Sequence, residues 1–214
     1  MVRPERPVRR LRAALSVLFA CAAAAAAAAG AWAGGAPAVT PTPVPLAPCR
    51  IGQQRLTALT PLATVRRAVA GAFPRATFAD MAGSDPDYRR LRVTEGGAPL
   101  MIVNYHARNP ARAVASIELL SPRFELMPGV RPGVPLSVAA RSLGQVTLSY
   151  NPEIGVEAID APGLLPTLAN WEGKGCVVNP RMGPGRRIGL YPAGTFETHR
   201  YRPGAVISQI EIGF

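Results

Sequence analysis

Ala22 to Ala29 is an unbroken alanine run inside a charge-free stretch that begins at Ala13. Ahead of it, Met1 to Arg12 carries five arginines against one acid, Glu5. Behind it, Ala31-Trp32-Ala33 offers the small-x-small pattern that a signal peptidase needs. A basic head, an apolar middle and a small-residue exit describe a secretory signal peptide and not an element of the fold. Residues 1–33 are therefore set aside, and the 181 that follow are enough for one medium domain or two small ones. Cleavage after Ala33 or Ala38 gives a soluble periplasmic or secreted protein. An uncleaved segment would be an anchor with its arginines inside, but alanine is weakly apolar and a span needs about twenty convincingly apolar residues. A lipid anchor at Cys21 is less favoured, because Leu18-Phe19-Ala20 places a bulky side chain where lipoprotein signals prefer a small one.

Export sets the redox chemistry. Two cysteines remain after the signal, Cys49 and Cys176, and an even pair in an oxidising compartment usually forms a disulfide. In the chain-entropy model, closing so long a loop contributes on the order of 4–5 kcal/mol. Two unrelated free thiols are the alternative.

Charge says less than it first suggests. The chain carries 24 Lys and Arg against 13 Asp and Glu. Five of those bases and one of those acids fall in the signal, so the remainder has 19 bases, 12 acids and a net charge of +7. Lys174 is the only lysine. With abundant Ala, Gly and Pro, that bias is a signature of genome composition. It argues weakly for nucleic acid, and the aromatics needed for base stacking are scarce. Attraction to an anionic envelope component, including membrane lipid, is compatible with it.

Residues 34–48 read as a linker, with Pro37, Pro41, Pro43, Pro45 and Pro48 favouring extended polyproline II. Two units then follow, at 49–126 and 127–214. The first opens at Thr60-Pro61, read as an N-cap and first-turn proline, with Leu62, Val65, Val69, Ala72 and Phe73 on one helical stripe. The second opens at Gly133-Val134-Pro135, with Leu136, Ala139, Ala140 and Leu143 on the stripe. Each closes on an alternating strand, Ala113 to Leu119 and Val206 to Ile212. His106 and His199, the only histidines, each lie eleven residues before a closing-strand isoleucine, Ile117 or Ile210. Arg89 to Thr94, Leu100 to Tyr105, Gln145 to Tyr150, Gly155 to Ile159 and Arg187 to Tyr191 read as further strands, and Pro162 to Gly185 as a long loop around Trp171 and Cys176. The expected fold class is α+β, with two tandem helix-plus-antiparallel-strand units packed as one domain.

Most chemistry lacks its residues. There is no Gly-x-Ser-x-Gly, Walker loop, Gly-x-Gly-x-x-Gly, Cys-x-x-Cys or His-Glu-x-x-His. No cofactor or metal is expected. Asp80, Asp85 and Asp87 have the company of a surface turn and not the spacing of an EF-hand. Glu153, Glu157 and Asp160 could supply paired carboxylates only if the fold brought them to the right separation. Arg66-Arg67, Arg89-Arg90-Leu91-Arg92 and Arg186-Arg187 are basic clusters read mainly as solvated surface.

Three stretches resemble a known family. Gln53 to Leu62, Pro128 to Leu136 and Ala205 to Ile212 are similar to the helix entries and last strand of the sigma-E-regulated envelope lipoproteins, a bacterial domain family of unknown function. The resemblance implies an envelope location and a two-unit α+β domain, and it supplies no catalytic or binding residues. That family places both mature cysteines in its second half, whereas only Cys176 lies there in this chain, which leaves the partner of Cys176 open. The expected function is a non-catalytic envelope module that binds a protein partner or an envelope component. The alternative is a periplasmic hydrolase using His106 or His199.

Overall fold

The computed structural model describes residues 44–214 apart from 84, 110 and 183–186. The signal peptide, the cleavage sites, Cys21, linker residues 34–43 and Arg186 lie outside the described residues.

The chain enters through three two-residue strands, β1 (Val44–Pro45), β2 (Arg50–Ile51) and β3 (Gln54–Arg55). Helix α1 (Leu62–Ala72) follows, then β4 (Ala76–Ala82), β5 (Tyr88–Glu95), β6 (Ala98–His106), β7 (Val114–Leu119) and the short β8 (Phe124–Glu125). The second half runs α2 (Leu136–Leu143), β9 (Thr147–Asn151), β10 (Val156–Asp160), a 3-10 turn at Pro162–Leu164, α3 (Leu165–Glu172), β11 (Val177–Met182), β12 (Glu197–Thr198) and β13 (Gln209–Gly213).

The fold class differs from the expectation. Nine of these strands form one antiparallel sheet in the order β12-β9-β10-β11-β13-β7-β6-β5-β4, and the three helices are short. The protein is mainly β, and it is not a balanced α+β pair of tandem units. The physical reason lies in the two closing strands. Each exposes an unpaired ladder at the end of its half, and pairing β7 with β13 removes both edges at once. Sequence periodicity identified the two strands but carried no sign that they pair with each other.

Local chemistry accounts for most elements. α1 buries Leu62, Val65 and Val69, and α2 buries Leu136, Ala139 and Leu143. The α1 N-cap is Pro61, one residue after the expected Thr60, whose hydroxyl accepts from the Thr57 N–H instead. Both helix entries are bridged to the closing-strand lead-ins, Pro61 to Ala113 and Pro135 to Val206. Gly96 and Gly97 turn β5 into β6 with φ of 59° and 81°, the paired positive φ of a tight two-residue hairpin.

Two expectations in the second half are corrected. The stretch read as a long loop from Pro162 to Gly185 instead holds α3 and the central strand β11 over its described residues, 162–182. Pro180 hid that strand. It is tolerated because β10 pairs only with Arg181 and Met182, leaving Pro180 laddered to β13 alone. Arg187 to Tyr191 is irregular and carries a single bridge, Gly189 to Tyr201. Within the Pro-rich stretch, Val44–Pro45 pairs in parallel with Phe124–Glu125.

One apolar core joins the helices to one face of the sheet. Cys49 and Cys176 are disulfide-bonded within it, with Cα atoms 5.8 Å apart, so the pairing expected from the sequence is present. Trp171 is buried beside the bridge, and its carbonyl lies 3.8 Å from both sulfurs. No helix among the described residues is long and apolar enough to cross a membrane.

Candidate functional site

The other face of the sheet carries its polar side chains. In β7, Ile117 and Leu119 go to the core, so Ser116 and Glu118 point the opposite way. In β13, Ile210 and Ile212 go in and Glu211 points out. Glu118 and Glu211 are register partners across the central β7–β13 pair. Facing residues in an antiparallel pair have Cβ atoms roughly 5 Å apart, and like charges there repel.

Two arginines neutralise them. The Arg90 Nη2 donates to both Glu118 oxygens, at 3.0 and 3.2 Å, and the Asn104 amide donates to the same carboxylate at 2.8 Å. Arg181 pairs with Glu211. The Arg181 Nε has no hydrogen-bond partner among the described residues. Glu118 and Glu211 are 16% and 19% exposed, so the charges are largely withdrawn from water. This cluster lies in a trough of about 390 Å³, which Tyr88, Asp85 and Gln209 also line. Ile154 and Val156 form its apolar end. Tyr88 and Ile154 are exposed, so the trough has an aromatic and an aliphatic rim.

Of the residues singled out from the sequence, Arg90 and Asp85 line this trough, and neither histidine nor the Glu153, Glu157 and Asp160 carboxylates do. His106 ends β6, where its ring lies 4.8 Å from that of Tyr88. His199 follows β12, with Nδ1 at 3.2 Å from the Val146 carbonyl and 3.1 Å from the Thr147 hydroxyl. Strands β12 and β6 stand six positions apart in the sheet, about 29 Å at about 4.8 Å per strand. Neither histidine has a hydrogen-bonded carboxylate among the described residues.

The carboxylates are also dispersed. Glu157 faces the core, where it accepts from the Ile188 and Gly189 N–H groups and from the Tyr191 hydroxyl at 2.8, 2.9 and 2.8 Å. Asp160 is exposed and accepts from Ser149, and Glu153 lies in a surface turn. Burial and the hydrogen bond to Glu157 together raise the Tyr191 pKa well above the ordinary phenol value. Burial, reinforced by Asp80, raises that of Tyr105. Asp80 pairs with Arg66, Asp85 caps the turn at Asp87, and Asp87 pairs with Arg108. No group of metal-ligating side chains occurs among the described residues. The arginine clusters are partly committed, with Arg66 on Asp80, Arg90 on Glu118 and Arg187 stacked 3.9 Å from the Tyr150 ring centre.

Reasoning from sequence missed Glu118, Glu211, Asn104 and Arg181 as a group. A signal was available in Ile117-Glu118-Leu119 and Ile210-Glu211-Ile212, where one acid recurs at the same alternating position in both closing strands.

No known protein family matches the chain, and no curated protein matches it. A solved structure, that of the uncharacterized protein yfeY from Escherichia coli, is similar to it with a TM-score of 0.47 and 18% sequence identity, over 81% of this chain and 100% of that one.

Proposed function

We propose that this chain is an exported, non-catalytic module of the bacterial cell envelope that binds a partner protein across the open face of its sheet. The carrying observation is the Arg90–Glu118 and Arg181–Glu211 cluster at the sheet centre, flanked by exposed Tyr88 and Ile154. Arginine and tyrosine are enriched where binding energy concentrates at protein interfaces, around a centre depleted of free charge. Balanced pairs satisfy that centre without solvent.

Export is supported by the basic head, alanine run and small-residue exit of residues 1–33. The disulfide suits the same compartment. The similarity of Gln53 to Leu62, Pro128 to Leu136 and Ala205 to Ile212 to sigma-E-regulated envelope lipoproteins supports membership of a related envelope group.

The test is site-specific photocross-linking in the source bacterium. A photoreactive residue at Ser116, on the open face, is compared with one at Leu165, on α3. One dominant partner captured from Ser116 and not from Leu165, and lost with Arg181→Glu, is the expected result. Equal capture from both positions, or none from Ser116, overturns the proposal.

A further inference from the structure

A second cavity lies on the core side, away from the open face. It measures about 300 Å³ and sits between the entering segment and the sheet. Its floor is apolar and buried, made by Ile51, Phe73, Met101, Leu119, Phe124 and Ile212. Its wall is the entering segment, held by hydrogen bonds from the Val44 and Leu46 N–H groups to the Arg123 and Glu125 carbonyls. The exposed lining residues, Ala47, Arg50 and Ala72 among them, mark the rim.

Charge at that rim is one-sided. Arg123 is committed to Glu95 and lies 5.2 Å from the Phe73 ring centre. Arg50 has no ion-pair partner among the described residues. No acid lines the cavity. An apolar pocket with one convergent cation takes a ligand with an alkyl body and an anionic end. At about 30 Å³ per group, the share a water takes in the liquid, the space holds about ten methylenes.

We propose that this cavity binds a medium-chain fatty carboxylate, with the chain against Met101 and Leu119 and the carboxylate at Arg50. Arg50 then acts as the head-group contact and sets the preference for an anion. The carboxylate need not be desolvated fully, because Arg50 is exposed.

Equilibrium dialysis of the purified full chain against dodecanoate tests this, with dodecyltrimethylammonium as the cationic comparator. The expected result is saturable binding of one dodecanoate per chain and at least tenfold weaker binding of the ammonium. Arg50→Glu is expected to weaken dodecanoate at least tenfold. Ala72→Trp, an exposed rim position that fills the cavity, is expected to abolish it, with far-ultraviolet circular dichroism unchanged in both variants. Absence of saturable binding, or binding that survives Ala72→Trp, overturns the proposal. Equal binding of the two amphiphiles, or no effect of Arg50→Glu, overturns the assignment of a carboxylate. Adsorption to phosphatidylglycerol vesicles without uptake in dialysis also overturns it. These outcomes are independent of whether Ser116 captures a partner on the opposite face.

Discussion

Glu118 and Glu211 stand directly opposite each other at the centre of a nine-stranded sheet, on the two strands that join its halves. Hydrophobic alternation forces both acids to one face, where their repulsion is relieved by Arg90 on β5, reaching across β6, and by Arg181 on the adjacent β11. Replacing Arg90 with Met leaves Glu118 facing Glu211 with only the Asn104 amide. The expected cost is about 1–2 kcal/mol, reading the pair as partly buried. Adding Glu118→Gln should recover much of that loss, because the uncompensated charge disappears with it. Urea unfolding of the wild type, both single variants and the double variant measures the coupling. Strictly additive losses would show that Arg90 does not act through Glu118.

The Cys49–Cys176 bridge joins residues 127 apart, linking the segment before β2 to the start of β11. A loop of that length has an entropic contribution of about 5 kcal/mol in the denatured chain, a large share of a domain's total stability. Reduction, or the Cys49→Ala/Cys176→Ala pair, should lower the urea midpoint strongly and in parallel. A midpoint insensitive to reductant would mean that the buried contacts around Trp171 hold this region without the cross-link.

What the sequence made legible was local. The helix stripes at Leu62-Val65-Val69 and Leu136-Ala139-Leu143, both closing strands and the cysteine pair could be read because each depends on spacing within a few residues or on compartment. The sheet could not be read the same way. β4 lacks clean alternation, since Ala76 to Ala82 forms an outer strand with little buried surface. β11 was masked by Pro180, whose cost depends on which neighbour is laddered beside it. The site was harder still. Arg90 and Glu118 are 28 residues apart and Arg181 and Glu211 are 30 apart in numbering, and only strand order brings them together. The histidines drew attention by rarity, yet rarity carries no geometry.

Glu157 is a buried acceptor for three donors on the segment before β12. Glu157→Ala strands two backbone N–H groups and a phenol, at an expected cost of about 2–4 kcal/mol. Tyr191→Phe removes one of those bonds and should cost about 1 kcal/mol. The pH dependence has a definite sign. Tyr191 holds its proton more tightly folded than unfolded, so its contribution is complete below the ordinary phenol value of 10.0 and declines as pH rises through the raised folded value. Wild-type stability should therefore fall as pH climbs above about 10. Tyr191→Phe should fall less steeply, with Tyr105, also raised, accounting for part of the remaining slope. Chemical unfolding from pH 9 to 12, at intervals of half a unit, compares the slopes. Identical slopes would exclude Tyr191 as a source of the alkaline loss.

Two glycines should respond to the same substitution in opposite directions. Gly163 lies in the 3-10 turn packed against the end of α2, where an added Cβ would meet the Ser142 carbonyl at 2.4 Å and the Leu143 Cα and carbonyl at 2.9 Å. Those atoms are backbone, so no side chain can swing away. Gly163→Ala must push the turn off the helix that buries Leu143, at an expected cost of about 2 kcal/mol or more. Gly71 lies near the end of α1, and a Cβ there meets nothing within 4 Å. Gly71→Ala removes only backbone freedom from the unfolded chain, so it should stabilise the fold by about 0.5–1 kcal/mol. Urea midpoints of the two variants, measured side by side, separate close approach from conformational entropy. If Gly163→Ala left the midpoint unchanged, the turn would not be seated against α2 at this distance, and the end of α2 would need another partner to cover Leu143.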